Sequence, residues 1–343
     1  MKTLIVVHGM GTHSEDSLRT EITAALNAVF QTYESLVGSE ISDHFNLVPV
    51  EYDSYFEAYR EAIGDREDVL NAMQEVRGDW PLIPRAAAEI ARLEQSLLQD
   101  EFFNTHWLDV LLYRFTLISE PIRLKLAEAT TRAVAEQGSS DVHVLGTSLG
   151  TSIVHDTLAK LYGPEPGDFK LSNSADKLGG VHMVANVSRV LQTFRKVGAS
   201  EVRPGSGCCA IYYEYRHKLD PFTKVKPFDP TDNGEWVTHS AWRRGYRLYE
   251  PTGVTDANVH ALSHYLKNPE VHLPLFRQVF RFRPLANERN QARQAYEQQT
   301  LQHKAIAVRE AFEEFNFSIP SVQNLLGAGK EFKDIVEQIG DAF

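Results

Sequence analysis

The stretch 142–154 constrains the fold of this chain more than any other, because it joins an apolar run, a glycine-bracketed serine and a helical pattern. Val142, Val144 and Leu145 suit a buried strand, and the residues from Ile153 onward repeat with helical spacing. Between them, Gly146-Thr147-Ser148-Leu149-Gly150 matches the pattern Gly-x-Ser-x-Gly. This pattern predicts a sharp strand-to-helix turn that holds the serine hydroxyl clear of the sheet.

The two glycines have a physical reason at this spacing. The turn forces Ser148 into a strained backbone conformation, and side chains two positions away on either side would collide with it, so Gly146 and Gly150 are expected there. The next helix then directs the N–H groups of its first turn at the hydroxyl, where they favour developing negative charge. The alternative is a small-residue turn without chemistry, but a position between strand and helix favours a nucleophile.

Composition excludes several classes of protein. The chain has 343 residues, of which 43% are hydrophobic and 24% charged, so it has the length and composition of a globular protein with one large α/β domain or two ordinary ones. The formal net charge of −11 argues against nucleic-acid binding, which usually needs a basic face. The only two cysteines, Cys208 and Cys209, are adjacent, so no disulfide framework is predicted.

The beginning of the chain does not resemble a secretory signal. The apolar run Leu4–Val7 is too short for one, and no small-residue cleavage site follows it. No stretch approaches the ~20 apolar residues that a membrane span needs. The expectation is therefore a cytoplasmic protein without a transmembrane segment.

The order of elements predicts an α/β fold with a mostly parallel central sheet flanked by helices. Leu4–Val7 is continuously apolar, as in a central strand, and a glycine-rich loop and an amphipathic helix over 14–30 follow it. The further predicted strands are Phe45–Tyr52, which Pro49 places at an edge, the run into the serine turn, Leu178–Val187, Cys208–Tyr215 and Tyr246–Tyr249. No phosphate-binding glycine motif is present, so a nucleotide site is not predicted.

Two segments extend this core. Residues 53–137 have mainly helical patterns, with apolar positions at Ile83, Ala87, Ile90, Leu93 and Leu97 and again over Trp107–Tyr113. Since one crossover helix needs far fewer residues, this insertion before the serine turn forms either a helical cap over the site or scaffold on the flank of the sheet. The predicted division is an α/β domain over 1–283 and a helical C-terminal extension over 284–343.

A serine nucleophile needs a base to take its proton and an acid to orient that base. After a Gly-x-Ser-x-Gly turn, both are expected further along the chain, in loops beyond the ends of strands. Asp220 follows a strongly apolar strand, although an Asp-Pro pair also forms plain turns. His260 follows the last predicted strand and is the favoured base, and His264 is the rival.

An oxyanion hole needs two preorganised N–H donors. The sequence predicts one at Leu149, directly after the nucleophile, and the other at Met10, in the loop after the first strand. His8, Gly9 and Gly11 support that loop, because glycines let the backbone approach a substrate. A metal pair of His8 and His13 is disfavoured, since no cysteine or paired carboxylate lies nearby, and no metal is predicted.

This set of segments resembles the α/β-hydrolase superfamily over about residues 1–283. The opening Leu4-Ile5-Val6-Val7-His8-Gly9-Met10-Gly11 and Trp107-Leu108-Asp109-Val110 are similar to those of intracellular lipases and serine esterases. Leu219-Asp220-Pro221-Phe222 with Pro227-Phe228 resembles the Asp-Pro-Val turn of DDHD-type phospholipases. The resemblance implies an ester or thioester hydrolase without a metal or organic cofactor.

The sequence therefore predicts a serine hydrolase of the lipase or esterase type that forms an acyl-enzyme on Ser148. The expected substrate is a small-molecule carboxylic ester or lipid, because the insertion offers apolar helix faces for an acyl chain. A non-catalytic interaction protein on the same fold, or an acyltransferase or thioesterase with the same residues, is the alternative. The sequence makes no prediction about oligomeric state.

Overall fold

The structure is a computed structural model that describes residues 1–9, 14–63, 113, 118–164, 169–191, 201–225, 227–230, 245–256 and 258–300. Within these ranges, six strands form one sheet in the order β2-β1-β3-β4-β5-β6, and every neighbouring pair is parallel. The strands are β1 (Lys2–Val7), β2 (Phe45–Val50), β3 (Val142–Thr147), β4 (Gly180–Val184), β5 (Tyr212–Tyr215) and β6 (Tyr246–Tyr249). The predicted fold class is confirmed.

Helices cover both faces of the sheet, as they must where parallel strands are joined by crossovers. They are α1 (Glu15–Phe30), α2 (Asp53–Ile63), α3 (Ser119–Gln137), α4 (Leu149–Tyr162), α5 (Ser188–Leu191), α6 (Pro221–Val225), α7 (Leu262–Lys267), α8 (Pro269–Val279) and α9 (Ala286–Gln299), with short 3₁₀ turns at Ile41–Asp43 and Ser139–Asp141. Of these, α3 and α4 pack on one face, whereas α1, α7 and α8 pack on the other.

Alternation along β1 divides the core between these two faces. Ile5 and Val7 face α3 and α4, whereas Leu4 and Val6 face α1 and α8, and all four side chains are buried. Burying apolar side chains on both sides is the main favourable contribution to folding, at roughly 1.5–3 kcal/mol for each large one. This is why the central strands read as continuous apolar runs rather than as alternating ones.

Local sequence sets the ends of several elements. Ser14 caps α1 in a reciprocal pair of hydrogen bonds with Ser17, so the helix begins where the pattern predicts. Pro49 lies in β2, which is an edge strand as predicted. β4 is shorter than predicted, because Ala185 has φ 48° and turns the chain away from the sheet. Near β5, Cys209 forms an isolated bridge with Leu178, and the continuous strand begins at Tyr212.

The order of the strands creates a switch point between β1 and β3. The chain runs outward from β1 to β2 and then returns to the other side of β1 as β3. A crevice forms at such a switch point, outside the carboxyl ends of the two strands, and ligands bind there in open parallel sheets. The residues after β1 are His8 and Gly9, and the residue after β3 is Ser148.

The two predicted extensions lie only partly in the described ranges. α3 packs on α4 and β1, so this part of the insertion is scaffold on the sheet. The predicted apolar positions Ile83–Leu97 and most of 107–113 lie outside the described residues, and so does the extension after residue 300. α9 packs on its own domain, where Glu288 accepts a hydrogen bond from the Ser35 amide at 2.8 Å. The division at residue 283 stays a prediction.

Buried histidines make the stability of this fold depend on pH. Burial is the main cause of a lowered pKa at six histidines of the described ranges: His143 and His155 (each about 3), His264 and His272 (each about 4), His182 and His217. Below the ordinary histidine pKa of about 6.5, the unfolded chain binds protons that the folded chain does not, so stability falls as pH falls. Burial also raises the pKa of Glu214 to about 7, which offsets one of these protons between pH 7 and about 4.5.

We therefore expect the free energy of unfolding to fall steeply between pH 6.5 and 4.5. Each proton that only the unfolded chain binds lowers the free energy of unfolding by about 1.4 kcal/mol per pH unit. The total free energy of unfolding of a domain is only about 5–15 kcal/mol. Urea unfolding at a series of pH values measures the slope. His272→Gln should reduce this slope by the contribution of about one proton, because glutamine does not titrate. His272 bonds the Tyr33 hydroxyl at 2.6 Å, and a glutamine retains a polar partner there. A stability that is flat over this range would contradict the prediction.

Candidate active site

Ser148 stands on a strained turn between β3 and α4. Its backbone has φ 52° and ψ −125°, and φ is positive at only two other non-glycine residues of the described ranges. The Ser148 amide donates to the Val184 carbonyl at 3.1 Å, which joins the turn to the end of β4. Non-glycine residues in such conformations concentrate at functional sites, where the surrounding structure holds them.

The two flanking glycines are required by close packing. A Cβ added to Gly146 would lie 2.9 Å from the Gly150 carbonyl oxygen and 3.0 Å from the Thr151 Cα. A Cβ added to Gly150 would overlap the backbone carbonyls of Val7 and His8. The turn therefore depends on glycine at both positions, as the sequence motif predicts.

The structure brings His260 between Ser148 and Asp220. His260 Nε2 lies 2.8 Å from Ser148 Oγ, and His260 Nδ1 lies 2.8 Å from Asp220 Oδ2. A carboxylate only accepts, so the imidazole carries its proton on Nδ1 and its Nε2 lone pair faces the serine hydroxyl. This is the hydrogen-bonding pattern by which an imidazole removes a proton from a serine.

Asp220 is held rigidly in the segment between β5 and α6. Its side chain is 0% exposed, and its Oδ1 accepts the Phe222 amide at 3.1 Å while Oδ2 faces His260. The two interpretations of the Asp-Pro pair are thus compatible, because one oxygen bonds the turn and the other bonds the histidine. The ring of Phe222 lies 4.3 Å from that of His260, between centroids, and the His260 side chain is only 16% exposed.

Two turns place His260 in the loop between β6 and α7. Asp256 Oδ1 accepts the Asn258 amide, and Asn258 Oδ1 accepts the His260 amide, each at 3.2 Å. Side chains of this type bond the backbone two residues onward and fix tight turns. The loop therefore presents His260 to the serine before α7 begins.

His264, the rival base, has a different environment. It lies on α7, is 1% exposed, and its Nε2 accepts the Thr255 amide at 3.3 Å. Burial and the neighbouring His217 ring lower its pKa to about 4. No hydrogen bond joins it to Ser148 in the described part of the chain.

One predicted oxyanion donor lies within the described residues. Leu149 is the first residue of α4, and an N–H group in the first helical turn has no carbonyl four residues back within the helix. The Leu149 N–H therefore lies at the N-terminal end of the helix, next to Ser148. Met10, the other predicted donor, lies outside the described residues, as do Gly11 and His13.

The loop after β1 contacts Ser148 at Gly9. A Cβ added to Gly9 would lie 2.8 Å from Ser148 Cβ and 3.5 Å from Ser148 Oγ. The Tyr52 hydroxyl bonds the carbonyls of both His8 and Gly9, at 2.9 and 2.7 Å, and the Tyr52 ring stacks on the His8 ring at 4.0 Å. These contacts fix the loop against Ser148. They also hold His8, whose ring stacks on Tyr52 and whose carbonyl accepts the Tyr52 hydroxyl.

On the prediction that the chain is a serine hydrolase, we expect Gly9→Ala to lower kcat for an ester substrate by at least about 100-fold. The new methyl group must move Ser148 or the loop, and a misplacement of ~1 Å at a reacting centre costs about that factor. Steady-state kinetics with a short-chain aryl ester measures the loss. Gly38→Ala is the control, because Gly38 also has a special backbone (φ 85°) but an added Cβ there meets no atom within 4 Å. Equal kinetics for both variants would contradict the prediction.

Sequence reasoning did not identify the tyrosines that hold this site. Tyr265 donates from its hydroxyl to Asp220 Oδ2 at 2.7 Å, and Tyr52 bonds the Gly9 loop. Tyr265 is next to His264, which the sequence did single out, but no spacing rule pairs a tyrosine with an aspartate 45 positions earlier. Only the tertiary contact of α7 with the segment that follows β5 brings the two together.

The described ranges contain neither a metal cluster nor a membrane-crossing helix. In these ranges, histidine, cysteine, aspartate and glutamate side chains nowhere gather in threes as a metal site would need. Both cysteines are buried and free. None of the helices there is both long and apolar enough to cross a membrane.

Comparisons with known proteins give a distant structural likeness. No protein-family model matches the chain, and no curated protein matches it. Among solved structures, it is similar to a cutinase-like protein from Cryptococcus sp., at 12% identity and a TM-score of 0.28, over 90% of this chain and 93% of that one. At these values the likeness carries no weight for function, which depends on the contacts of Ser148.

Proposed function

We propose that the protein is a serine hydrolase that cleaves carboxylic esters through an acyl-enzyme on Ser148. The observation that carries the proposal is the bridging position of His260, whose two ring nitrogens lie 2.8 Å from Ser148 Oγ and from Asp220 Oδ2. The strained turn at Ser148 and the helix that begins directly after it support the same function.

In the proposed reaction, Ser148 Oγ attacks the ester carbonyl carbon while its proton passes to His260 Nε2. The imidazolium that forms is stabilised by Asp220, which also holds the ring in position. Negative charge develops on the substrate oxygen beside the Leu149 N–H, where a preorganised donor contributes about 3–4 kcal/mol. His260 then gives the proton to the departing alcohol oxygen, and the C–O bond breaks.

The acyl-enzyme is cleared by water with the same residues. His260 takes a proton from a water molecule, the hydroxide attacks the acyl carbon, and the proton returns to Ser148 Oγ as the acid leaves. The carboxylic ester with an acyl chain is proposed from the apolar helical patterns of the insertion, whose positions at Ile83–Leu97 lie outside the described residues. The roles of Met10 as an oxyanion donor and of Gly11 in its supporting loop likewise stay predictions.

An active-site-directed fluorophosphonate tests the proposed function. The reagent should modify the purified protein in a 1:1 ratio, and peptide mass spectrometry should locate the phosphonyl group on Ser148. A panel of aryl esters with increasing acyl length then reports the substrate preference. A folded protein that neither reacts with the reagent nor hydrolyses any ester would overturn the proposal and favour a non-catalytic role.

A further inference from the structure

The buried carboxylate of Asp220 accepts three hydrogen bonds, of which the proposed reaction uses one. His260 Nδ1 and the Tyr265 hydroxyl both donate to Oδ2, at 2.8 and 2.7 Å, and the Phe222 amide donates to Oδ1 at 3.1 Å. Asp220 and Tyr265 are each 0% exposed. The contact from Tyr265 is therefore a hydrogen bond between two fully desolvated groups, on the oxygen that faces the histidine.

We propose that Tyr265 is a positioning residue, which acts through Asp220 to set the orientation of His260 and the strength of its hydrogen bond to the carboxylate. This inference rests on the proposed function, because it assigns Tyr265 a part in the same proton transfer. Tyr265 has no contact with Ser148 in the described residues and is not proposed to touch substrate.

The direction of the phenolic proton follows from its partners. The His217 backbone amide, which can only donate, lies 2.9 Å from the Tyr265 oxygen. The carboxylate of Asp220, which can only accept while ionised, lies on the other side. The Tyr265 oxygen therefore accepts from His217 and directs its own proton at Asp220, and the first bond polarises the second.

Tyr265 stays protonated over the whole pH range in which the proposed reaction would run. Burial, and then the charge of Asp220, raise the pKa of Tyr265 well above its ordinary value of about 10. The phenol is thus a neutral donor at every pH at which a histidine titrates. A neutral donor on a buried carboxylate stabilises the ionised form without adding a charge of its own.

Two effects on His260 result from this geometry. With donors on both oxygens, the plane of the Asp220 carboxylate is fixed, and so is the ring that bonds to it. The phenolic bond also draws negative charge away from Oδ2, which makes the carboxylate a weaker partner for an imidazolium. Loss of the hydroxyl should therefore loosen the ring and strengthen the pairing of an imidazolium with Asp220.

Other ionisable groups near Asp220 and His260 come from several elements. They are His264 on α7, His217 after β5, Lys224 on α6, Asp256 after β6 and Glu214 on β5, whose charge acts on Tyr265. Burial lowers the pKa of His217 and His264, so both are neutral above pH 6.5. Because burial raises the pKa of Glu214 to about 7, Glu214 also titrates in this range, so the pH profiles are compared in a Glu214→Gln background.

Tyr265→Phe tests the inference, with the aryl-ester assay over pH 5.5–9. We expect kcat to fall about tenfold with KM unchanged, which is part of the 10²- to 10⁴-fold that a general base supplies. The acid limb of the kcat/KM profile should move about 0.5–1 pH unit upward, because a carboxylate with one donor fewer favours the imidazolium. Tyr33→Phe is the matched control, since Tyr33 is also 0% exposed and bonds His272 at 2.6 Å, away from Ser148.

A second variant keeps the test independent of folding. Site-specific 3-fluorotyrosine at position 265 retains the shape of the side chain and makes its hydroxyl a stronger donor, so the acid limb should move downward. Unchanged kcat and pH profiles for both variants, or equal losses in Tyr33→Phe, would overturn the inference while leaving the proposed function intact. A wild-type protein that is inert to fluorophosphonate and to esters would overturn both.

Discussion

Ser148→Ala should reduce ester hydrolysis by about 10⁴- to 10⁶-fold and abolish labelling by a fluorophosphonate. The alanine retains the turn, but no oxygen remains to form the acyl-enzyme, and the loss of a triad nucleophile has effects of this size. The residual rate reports what substrate binding and the Leu149 N–H contribute without covalent chemistry. Steady-state kinetics and intact-protein mass spectrometry measure the two effects.

Ser152→Ala is the matched control for this variant. Ser152 lies one turn further along α4, is 1% exposed, and its hydroxyl has no hydrogen-bond partner within the described residues. Its removal should leave both kcat and labelling near the wild-type values. Turnover by Ser148→Ala at the wild-type rate would show that the nucleophile is elsewhere and would end the assignment.

His260→Ala and His264→Ala should differ by about 10⁴-fold in kcat. The first variant removes the group that lies 2.8 Å from Ser148 Oγ, and without it the hydroxyl has no base. The second variant removes a buried ring that bonds the Thr255 amide at 3.3 Å, so it should lower stability by about 1–3 kcal/mol and leave kcat within a few-fold.

Rates of fluorophosphonate labelling and urea unfolding curves separate the two histidines. His260→Ala should unfold close to the wild-type midpoint and label extremely slowly, whereas His264→Ala should unfold earlier and label normally. Because one variant changes chemistry and the other stability, a general loss of folding cannot produce this pattern. A loss of labelling in His264→Ala alone, in a folded protein, would make His264 the base.

The local parts of this structure could be predicted because they depend on neighbouring residues. The apolar run 142–145, the glycines around Ser148 and the cap at Ser14 each determine a strand, a turn or a helix start over a few residues. The edge position of β2 followed in the same way from Pro49, which cannot complete the ladder of a central strand. Strand ends were predicted less well. β4 ends just before Ala185 because the φ angle of Ala185 is positive, and an alanine in the sequence gives no sign of a positive φ.

The residues of the candidate site were likewise predictable only in part from the sequence. Sequence order could propose Ser148, Asp220 and His260, because each follows the carboxyl end of a strand and these ends meet at one edge of a parallel sheet. Sequence order favoured His260 but could not exclude His264, because both follow β6 and lie only four residues apart. The turns at Asp256 and Asn258 determine which ring points at the serine.

By itself, the sequence determined the alternation of strands and helices, because this depends on side-chain periodicity. It also determined the strained turn at Ser148, because this depends on the absence of a Cβ at the flanking glycines. It further narrowed the candidate site to a short set of polar residues that follow strands. Only the tertiary structure decided which histidine lies 2.8 Å from the serine, and only the contact of α7 with the segment after β5 brought Tyr265 to Asp220. The physical reason is that a hydrogen bond requires its two atoms within about 3 Å, and between distant residues this is set by the packing of whole elements.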